Sequence, residues 1–458
     1  MESSTKLDTV RLLLPEIIEL LQEDPREIPE ALSDLHPADV GEIINNLPVD
    51  LIPRFLDAFP IDRAADFFEY TSEPIRVQVI PLMDFATAAS LLDAMEPNEQ
   101  ANIVAQLPAD LQQNLLARLT PANQEEAMQI LQYPENTAGR IMTTEYISLD
   151  PNQTVRDALA AVKKGLPTRE NYYHAYILEG SVLKGVLSIR DILLADENLP
   201  VKEVMTEPVI SVAPEVDQEQ AARLISKYDL LSIPVVTVDG KMIGVVTVDD
   251  VIDVLTEEQT EDMQRLGAVE PFEYPYFQTN FWTIIRKRAT WLVLLFVEEF
   301  FTGTALRHYN DQLERALSLV FFVPLIISSG GNSGSQSSTI ITRGLATGDI
   351  QLGKFGSVTL RELFTGIVLG LILGAIGFFR AMMWHSGVTI SLVVGISLVG
   401  VVLLGTTIGA LLPMVLKRLG MDPAVSSAPF IASLVDVCGI IIYFNVAKML
   451  LTLTGHHL

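Results

Sequence analysis

One carboxylate set in an apolar run is the first place where this chain could do chemistry. Residues 427–453, SAPFIASLVDVCGIIIYFNVAKMLLTL, hold Asp436 as their single acidic side chain. Roughly 20 apolar residues suffice to cross a bilayer, and a rise of about 1.5 Å per residue puts Asp436 roughly 13 Å in, close to the midplane. An ionised group there costs several kcal/mol unless it meets a partner, a water-filled cavity or an ion. Its own helix face carries Ala428, Ala432 and Gly439, a stripe with little bulk that leaves space beside the carboxylate. Such a stripe also serves as a packing surface with the aspartate paired to a buried Arg or Lys. No other membrane segment offers a central basic residue, so an ion pathway is the expectation. A second intramembrane feature is Glu298-Glu299. Adjacent helical residues point about 100° apart, so only one of the two is expected to face a given cavity.

The remaining chain must hold that carboxylate in place. Of 458 residues 49% are hydrophobic, yet 57 Asp+Glu against 31 Lys+Arg give a net charge of -26. The conflict resolves on dividing the chain near Glu270. From Pro271 onward there are 12 basic and 9 acidic side chains, which leaves 19 and 48 to residues 1–270. The acidity therefore belongs to the first, soluble half. Nucleic acid would bring phosphates to a surface of like sign, whereas a polyvalent cation suits it. The single cysteine, Cys438, excludes an intramolecular disulfide and lies inside a membrane segment. Met1 onward has no basic n-region or signal-type apolar core, so the soluble half is expected on the cytoplasmic side.

Residues 1–138 read as helical throughout, with a loose repeat: LHPADVGEIINNLP, MEPNEQANIVAQLP and LTPANQEEAMQILQYP. In each, one Pro falls near a helix start, where its missing N–H is harmless, and a second closes the unit. Units this short cannot bury a face alone and are expected to stack as a solenoid-like superhelix. Over residues 139–254 the period changes. GRIMTTEYISLDPNQTVRDALAAV is answered by VKEVMTEPVISVAPEVDQEQAARLI. Two strand–turn–strand runs follow, HAYILEGSVLKGVLSIRDIL and IPVVTVDGKMIGVVTVDDVI. The IMT/VMT openings and the closing GVLSIRDI and GVVTVDDV resemble a tandem pair of CBS domains. That resemblance implies an α/β module whose cleft often takes an adenine nucleotide such as ATP, with Asp191 and Asp250 at the ribose-holding position. The same aspartates read equally as helix N-caps. Residues 255–280 open with a helix dense in carboxylates, including Glu257, Glu258, Glu261 and Asp262. Like charges at i,i+3 and i,i+4 weaken an isolated helix, and this one leads straight towards the membrane.

Residues 281–458 hold five apolar segments, at 289–306, 316–342, 363–384, 388–416 and 427–453. The second turns polar halfway, SSGGNSGSQSSTIITRGLATGDI, and such residues must lie in protein or line a cavity. Gly366/Gly370/Gly374 and Gly405/Gly409 read as close helix packing. With the amino end inside, the inner flanks hold Arg286, Lys287, Arg288, Arg343, Lys354, Arg361, Lys417 and Arg418. The outer flanks hold Arg307, Arg315, Arg380 and Lys448, a bias that favours this orientation and a carboxy terminus outside.

This order of helical domain, CBS pair, acidic connecting helix and five spans resembles the MgtE family of magnesium channels. GGNSGSQS with RGLATGDI, and MDP followed by SLVDVCGIIIYF, carry the same resemblance. It implies a multidomain membrane protein: an all-α N-terminal superhelical domain, an α/β tandem CBS domain, an acidic connecting (plug) helix and a five-helix transmembrane domain. It further implies a homodimer in the cell membrane with a pore at its two-fold axis, lined by the second and fifth helices. Asp436 matches the pore aspartate that holds hydrated Mg²⁺, with Ala432 beside it, and Asn332 matches the asparagine of the second-helix motif. Asp422, Asp250, Glu258, Glu261 and Asp262 match ligands of regulatory Mg²⁺ that closes the channel. Some members carry Asn where this chain has Ala428. Passive Mg²⁺ influx is the function implied. A transporter of another divalent ion (Mn²⁺, Co²⁺ or Ca²⁺) and a membrane-anchored nucleotide sensor are the alternatives. No P-loop and no nucleophile–base constellation points to an enzyme.

Overall fold

Proline sets the helix starts of the first third of the chain. Pro37, Pro97 and Pro121 each take the first position of a helix, in Pro37–Asn46, Pro97–Gln106 and Pro121–Leu131. The structure is a computed structural model that describes residues 2–165, 173–272, 274, 276, 277, 279–310 and 317–453. In it Leu47 and Leu107 leave their helices in extended backbone, the conformation that a following proline imposes. The short helices share one core in which Leu21, Ile28, Phe55, Phe67 and Phe68 are buried, each contributing about 2 kcal/mol.

The chain divides into two units, Met1–Glu257 and Glu258–Leu458. The first continues into two small sheets. Strands β1 (Ile147–Leu149), β2 (His174–Glu179) and β3 (Val182–Ser188) form one sheet, with β1 parallel to β2 and β2 antiparallel to β3. Strands β4 (Ser232–Val236) and β5 (Met242–Thr247) form an antiparallel pair. The two repeats exchange their opening segments. Thr143, from the first, and Val245 of β5 donate N–H bonds to each other's carbonyls at 2.8 and 2.9 Å; Thr206, from the second, likewise pairs with Val186 of β3. Tyr176 and Ser232 add a buried hydroxyl contact of 2.8 Å between the sheets. Helix α1 (Val248–Leu266) follows β5.

The second unit is built on helices α2 (Phe281–His308), α3 (Val323–Ala346), α4 (Phe355–Met383), α5 (Val388–Arg418) and α6 (Ala428–Leu453). Among the described residues four segments are long and apolar enough to cross a membrane: α2, α5, α6 and Leu352–Met383, which contains α4. Helix α3, the remaining segment of the sequence reading, stays out of that set because half of it is Ser, Gly, Asn and Gln. Helices α2 and α4 start about eight residues earlier than the apolar runs predicted, taking in Arg286–Arg288 and Arg361. Hydropathy reports only the part of a helix that can face lipid, and the backbone stays helical through the basic turn. Arg315 and residue 316, both used in reading the spans, lie outside the described residues.

Helix α3 is held by bare backbone. A methyl built on Gly409 of α5 would lie 2.1 Å from the Gly334 carbonyl oxygen, and one on Gly405 would lie 2.5 Å from that of Gly330. Gly374 of α4 meets the Gly395 carbonyl of α5 in the same way, at 2.6 Å. These glycines therefore set the interhelical distance, as their four-residue spacing predicts. Gly409→Ala is expected to destabilise the detergent-solubilised protein by about 1–3 kcal/mol through overpacking. Gly356→Ala, where the added methyl meets nothing within 4 Å, should leave the thermal midpoint unchanged; equal midpoints for both variants would refute the close α3–α5 contact.

Candidate functional site

Asp436 stands where α6 meets the polar half of α3. A methyl built on Gly331 would lie 3.1 Å from the Ala432 Cβ and 3.6 Å from the Asp436 Oδ1. Gly331 thus leaves the space into which the carboxylate projects. On either side Val435 and Gly439 are buried, while Asp436 and Ala432 are half-buried. Asn332, next to Gly331, is exposed, and its Nδ2 donates to Ser328 Oγ at 3.3 Å. Three serines of α3 are structural ties. Ser335 Oγ donates to the Ala428 carbonyl (3.1 Å), Ser338 Oγ to that of Ser426 (3.1 Å) and Ser337 Oγ to Glu362 Oε2 (2.5 Å). Ser333 Oγ and Thr342 Oγ1 are buried without a partner among the described residues, and Asn332 stays exposed.

Helix α2 brings the remaining membrane carboxylates. It packs on α6 through Tyr309, which stacks on Phe444 with centroids 5.0 Å apart and accepts a 3.0 Å bond from Asn445 Nδ2. Glu298 is half-buried on α2, and its neighbour Glu299 is exposed.

The expected regulatory carboxylates fall into separate settings. Asp250 is the third helical residue of α1, not its N-cap. Thr247 takes the cap, its hydroxyl donating to the Asp250 carboxylate, which also accepts the Thr247 N–H at 3.3 Å. Ser188 and Asp191 repeat the arrangement, with Ser188 Oγ donating to Asp191 Oδ2 at 2.6 Å and accepting the Asp191 N–H at 3.1 Å. Each pair shows one of the two reciprocal backbone bonds of a capping box, with Thr247 and Ser188 at the cap and the aspartates three residues on, which replaces the N-cap reading of these aspartates. Asn98 Nδ2 also donates to Asp250, at 3.1 Å. Glu258, Glu261 and Asp262 are half-buried along α1. Glu261 and Asp422 both pair with Arg265, one on each terminal nitrogen of its guanidinium. The second Asp422 oxygen accepts the Ala424 N–H at 2.8 Å. Among the described residues no three or more His, Cys, Asp or Glu side chains are grouped to hold a metal. Arg265 is the residue the sequence reading missed, although its position four residues after Glu261 in an acidic helix marks an i,i+4 ion pair.

Relatives bear out the class that this arrangement defines, an ion transporter with a CBS-bearing soluble part. MgtE, described as a divalent cation transporter family, matches residues 323–446. The MgtE intracellular N domain matches residues 35–136, and CBS domains match 138–198 and 201–257. The magnesium transporter MgtE of Thermus thermophilus is 35% identical over 444 residues, covering 94% of this chain and 97% of that protein. Its namesake from Bacillus subtilis is 29% identical over 437 residues, covering 95% and 96%. A crystal structure of the cytosolic domain of the Mg²⁺ channel MgtE in complex with ATP is 32% identical. It matches with a TM-score of 0.50, over 53% of this chain and 99% of that one. The chain belongs to the MgtE family of magnesium transporters.

Burial, reinforced by the nearby Asp249 and Glu99 carboxylates, pushes Asp250 up to about 7 despite the opposing bonds from Thr247. A carboxyl whose pKa is raised on folding stabilises the fold below its unfolded pKa, about 3.9, and that contribution is lost as pH rises through the folded value. With divalent ions chelated, the stability of the unit containing Asp250 should fall between about pH 4 and about pH 7, by on the order of 4 kcal/mol. Asp250→Asn should flatten that dependence in calorimetric scans of the solubilised protein; an unchanged slope would assign the titration to another group.

Proposed function

We propose that this chain carries Mg²⁺ passively into the cell through a pore in which Asp436 holds the hydrated ion, and that cytosolic Mg²⁺ closes it. The observation that carries the reading is the half-buried carboxylate between Gly331 and Ala432, where α6 meets the polar half of α3. Mg²⁺ is a hard ion that keeps most of its waters and prefers octahedral oxygen at about 2.0–2.1 Å. One carboxylate among small side chains suits a hydrated ion better than a dry cage of ligands. In this reading the protein is a homodimer with its pore on the two-fold axis, and Asn332 beside Gly331 contributes to the lining. Five helices cross the membrane, with the amino end cytoplasmic and the carboxy end outside. The N-terminal helices form a superhelix.

Closure by Mg²⁺ follows from charge. Residues 1–270 hold 48 acidic and 19 basic side chains, and divalent ions bound by Asp250, Glu258, Glu261, Asp262 and Asp422 would draw that surface together. The donors are hard carboxylate oxygens, as Mg²⁺ requires. Glu261 and Asp422 already converge on one cation, the Arg265 guanidinium. An ion with greater affinity for the closed state shifts the equilibrium by that difference and no more. ATP at the CBS pair, near Asp191 or Asp250, is the further ligand, by analogy with the ATP-bound cytosolic domain of the relative.

Mg²⁺ uptake into proteoliposomes, with zero or about 10 mM Mg²⁺ on the soluble-domain side, tests both parts. Asp436→Ala should abolish flux without preventing assembly, and flux equal to wild type would remove the pore assignment. Neutralising Glu258, Glu261 and Asp262 together should weaken inhibition by Mg²⁺ on the soluble side severalfold. Inhibition unchanged in that variant would dissociate the connecting helix from closure. Competing Mn²⁺, Co²⁺ and Ca²⁺ report selectivity, and absence of any flux would favour an anchored nucleotide sensor.

A further inference from the structure

The carboxylates of Glu298 and Glu299 are left unexplained by a pore built on Asp436 alone. Counting back along α2 and α6 from the Tyr309–Asn445 contact, Glu298 lies eleven residues before Tyr309 and Asp436 nine before Asn445. These are about 16 and 13 Å on their helices, so the two carboxylates sit at nearly the same depth. The basic side chains of the second unit lie towards the helix ends, at Arg286–Arg288, Arg307, Arg343 and Lys448 among others. Glu298 Oε2 is buried without a hydrogen-bond partner among the described residues.

A second observation is independent of acidity. Thr302 is 3% exposed, and its Oγ1 is likewise buried with no partner among the described residues. A helical threonine ordinarily returns its hydroxyl to the carbonyl four residues back. Thr290 and Thr304 on the same helix do this, donating to Arg286 and Phe300 at 3.1 and 2.7 Å. Thr302 does not, and the residue four back is Glu298. Hydroxyl and carboxylate thus stand one turn apart on the face of α2 that meets α6.

We infer that Glu298 and Thr302, with Glu299 at their exposed edge, extend the Asp436 site into a carboxylate-lined binding position for a hydrated divalent cation between α2 and α6. The inference rests on the pore reading of Asp436. Carboxylates and a hydroxyl accept bonds from the waters of such an ion, and its charge replaces the missing basic partner. Removing them lowers affinity for the permeating ion while leaving the path through the helices intact.

Mg²⁺ uptake by proteoliposomes of the full chain, measured over a range of external Mg²⁺, tests this directly. The double variant Glu298→Gln with Glu299→Gln should raise the half-saturating Mg²⁺ about tenfold, because ligand charge count sets affinity at such sites. Thr302→Val should raise it in the same direction by a smaller factor, and Glu298→Asp with Glu299→Asp, which keeps both charges, should restore most of the wild-type value. A half-saturation equal to wild type in the Gln double variant overturns the inference. If that variant does not assemble, a Thr302→Val chain indistinguishable from wild type overturns it as well. Asp436→Ala separates the two readings. Flux lost there but unaffected by the Gln pair leaves the pore and removes the extended site, whereas flux retained there removes the pore itself.

Discussion

A charge in an apolar medium must be matched, and the placement of Asp436 governs how the second unit is built. The carboxylate cannot face hydrocarbon without a cost of several kcal/mol. It stands instead against α3, the helix whose Ser, Gly and Asn residues exclude it from the lipid-compatible set. That helix in turn has its glycines against α5 and its serines bonded to α6, α4 and the loop ahead of α6. Small residues bring these backbones close, and Gly331 stands beside the Asp436 carboxylate. The ion pathway proposed here runs past that contact.

The same constraint acts on the acidic side chains outside the membrane. Asp250 is half-buried, and it is kept by its bonds from Thr247 and Asn98. Neighbouring carboxylates add repulsion, so its proton is held to near neutrality. Asp422 and Glu261 meet the requirement differently, by sharing one guanidinium whose planar fork presents separate nitrogens to each. In the proposed gating these are alternatives for the same task. A bound Mg²⁺ and an arginine both neutralise carboxylates, but only the ion's occupancy varies with its concentration, and this gives feedback a physical basis.

Family membership and local chemistry make different contributions to this picture. The relatives establish membership of the MgtE family of magnesium transporters, with an intracellular N domain and a CBS pair matched in the first unit. They carry no information on why two adjacent glutamates and a buried hydroxyl without a back-bond occupy α2. That question is posed by this chain's own residues, and the cation position proposed between α2 and α6 addresses it.

Much of the architecture was legible in the residues. Proline spacing marked the helix starts at Pro37, Pro97 and Pro121, period-two runs marked β2 to β5, and four-residue glycine spacing marked the α4–α5 and α3–α5 contacts. These patterns depend on local geometry, which sequence order specifies. An intramembrane carboxylate was also visible, because burial cost depends on residue type and the length of the apolar run. The exchange of Thr143 and Thr206 between the two repeats was not visible, nor was the pairing of Arg265 with Asp422, 157 residues away. The assignment of Thr247 and Ser188, not the aspartates, as caps was settled only by the bonds themselves. Which face of α2 meets α6 depends on packing, and Thr302 gained meaning only when its hydroxyl was found buried without a partner among the described residues. Periodicity reports which face of an element is apolar; which distant face it meets is decided by packing, and partners across that contact exist only in the folded chain.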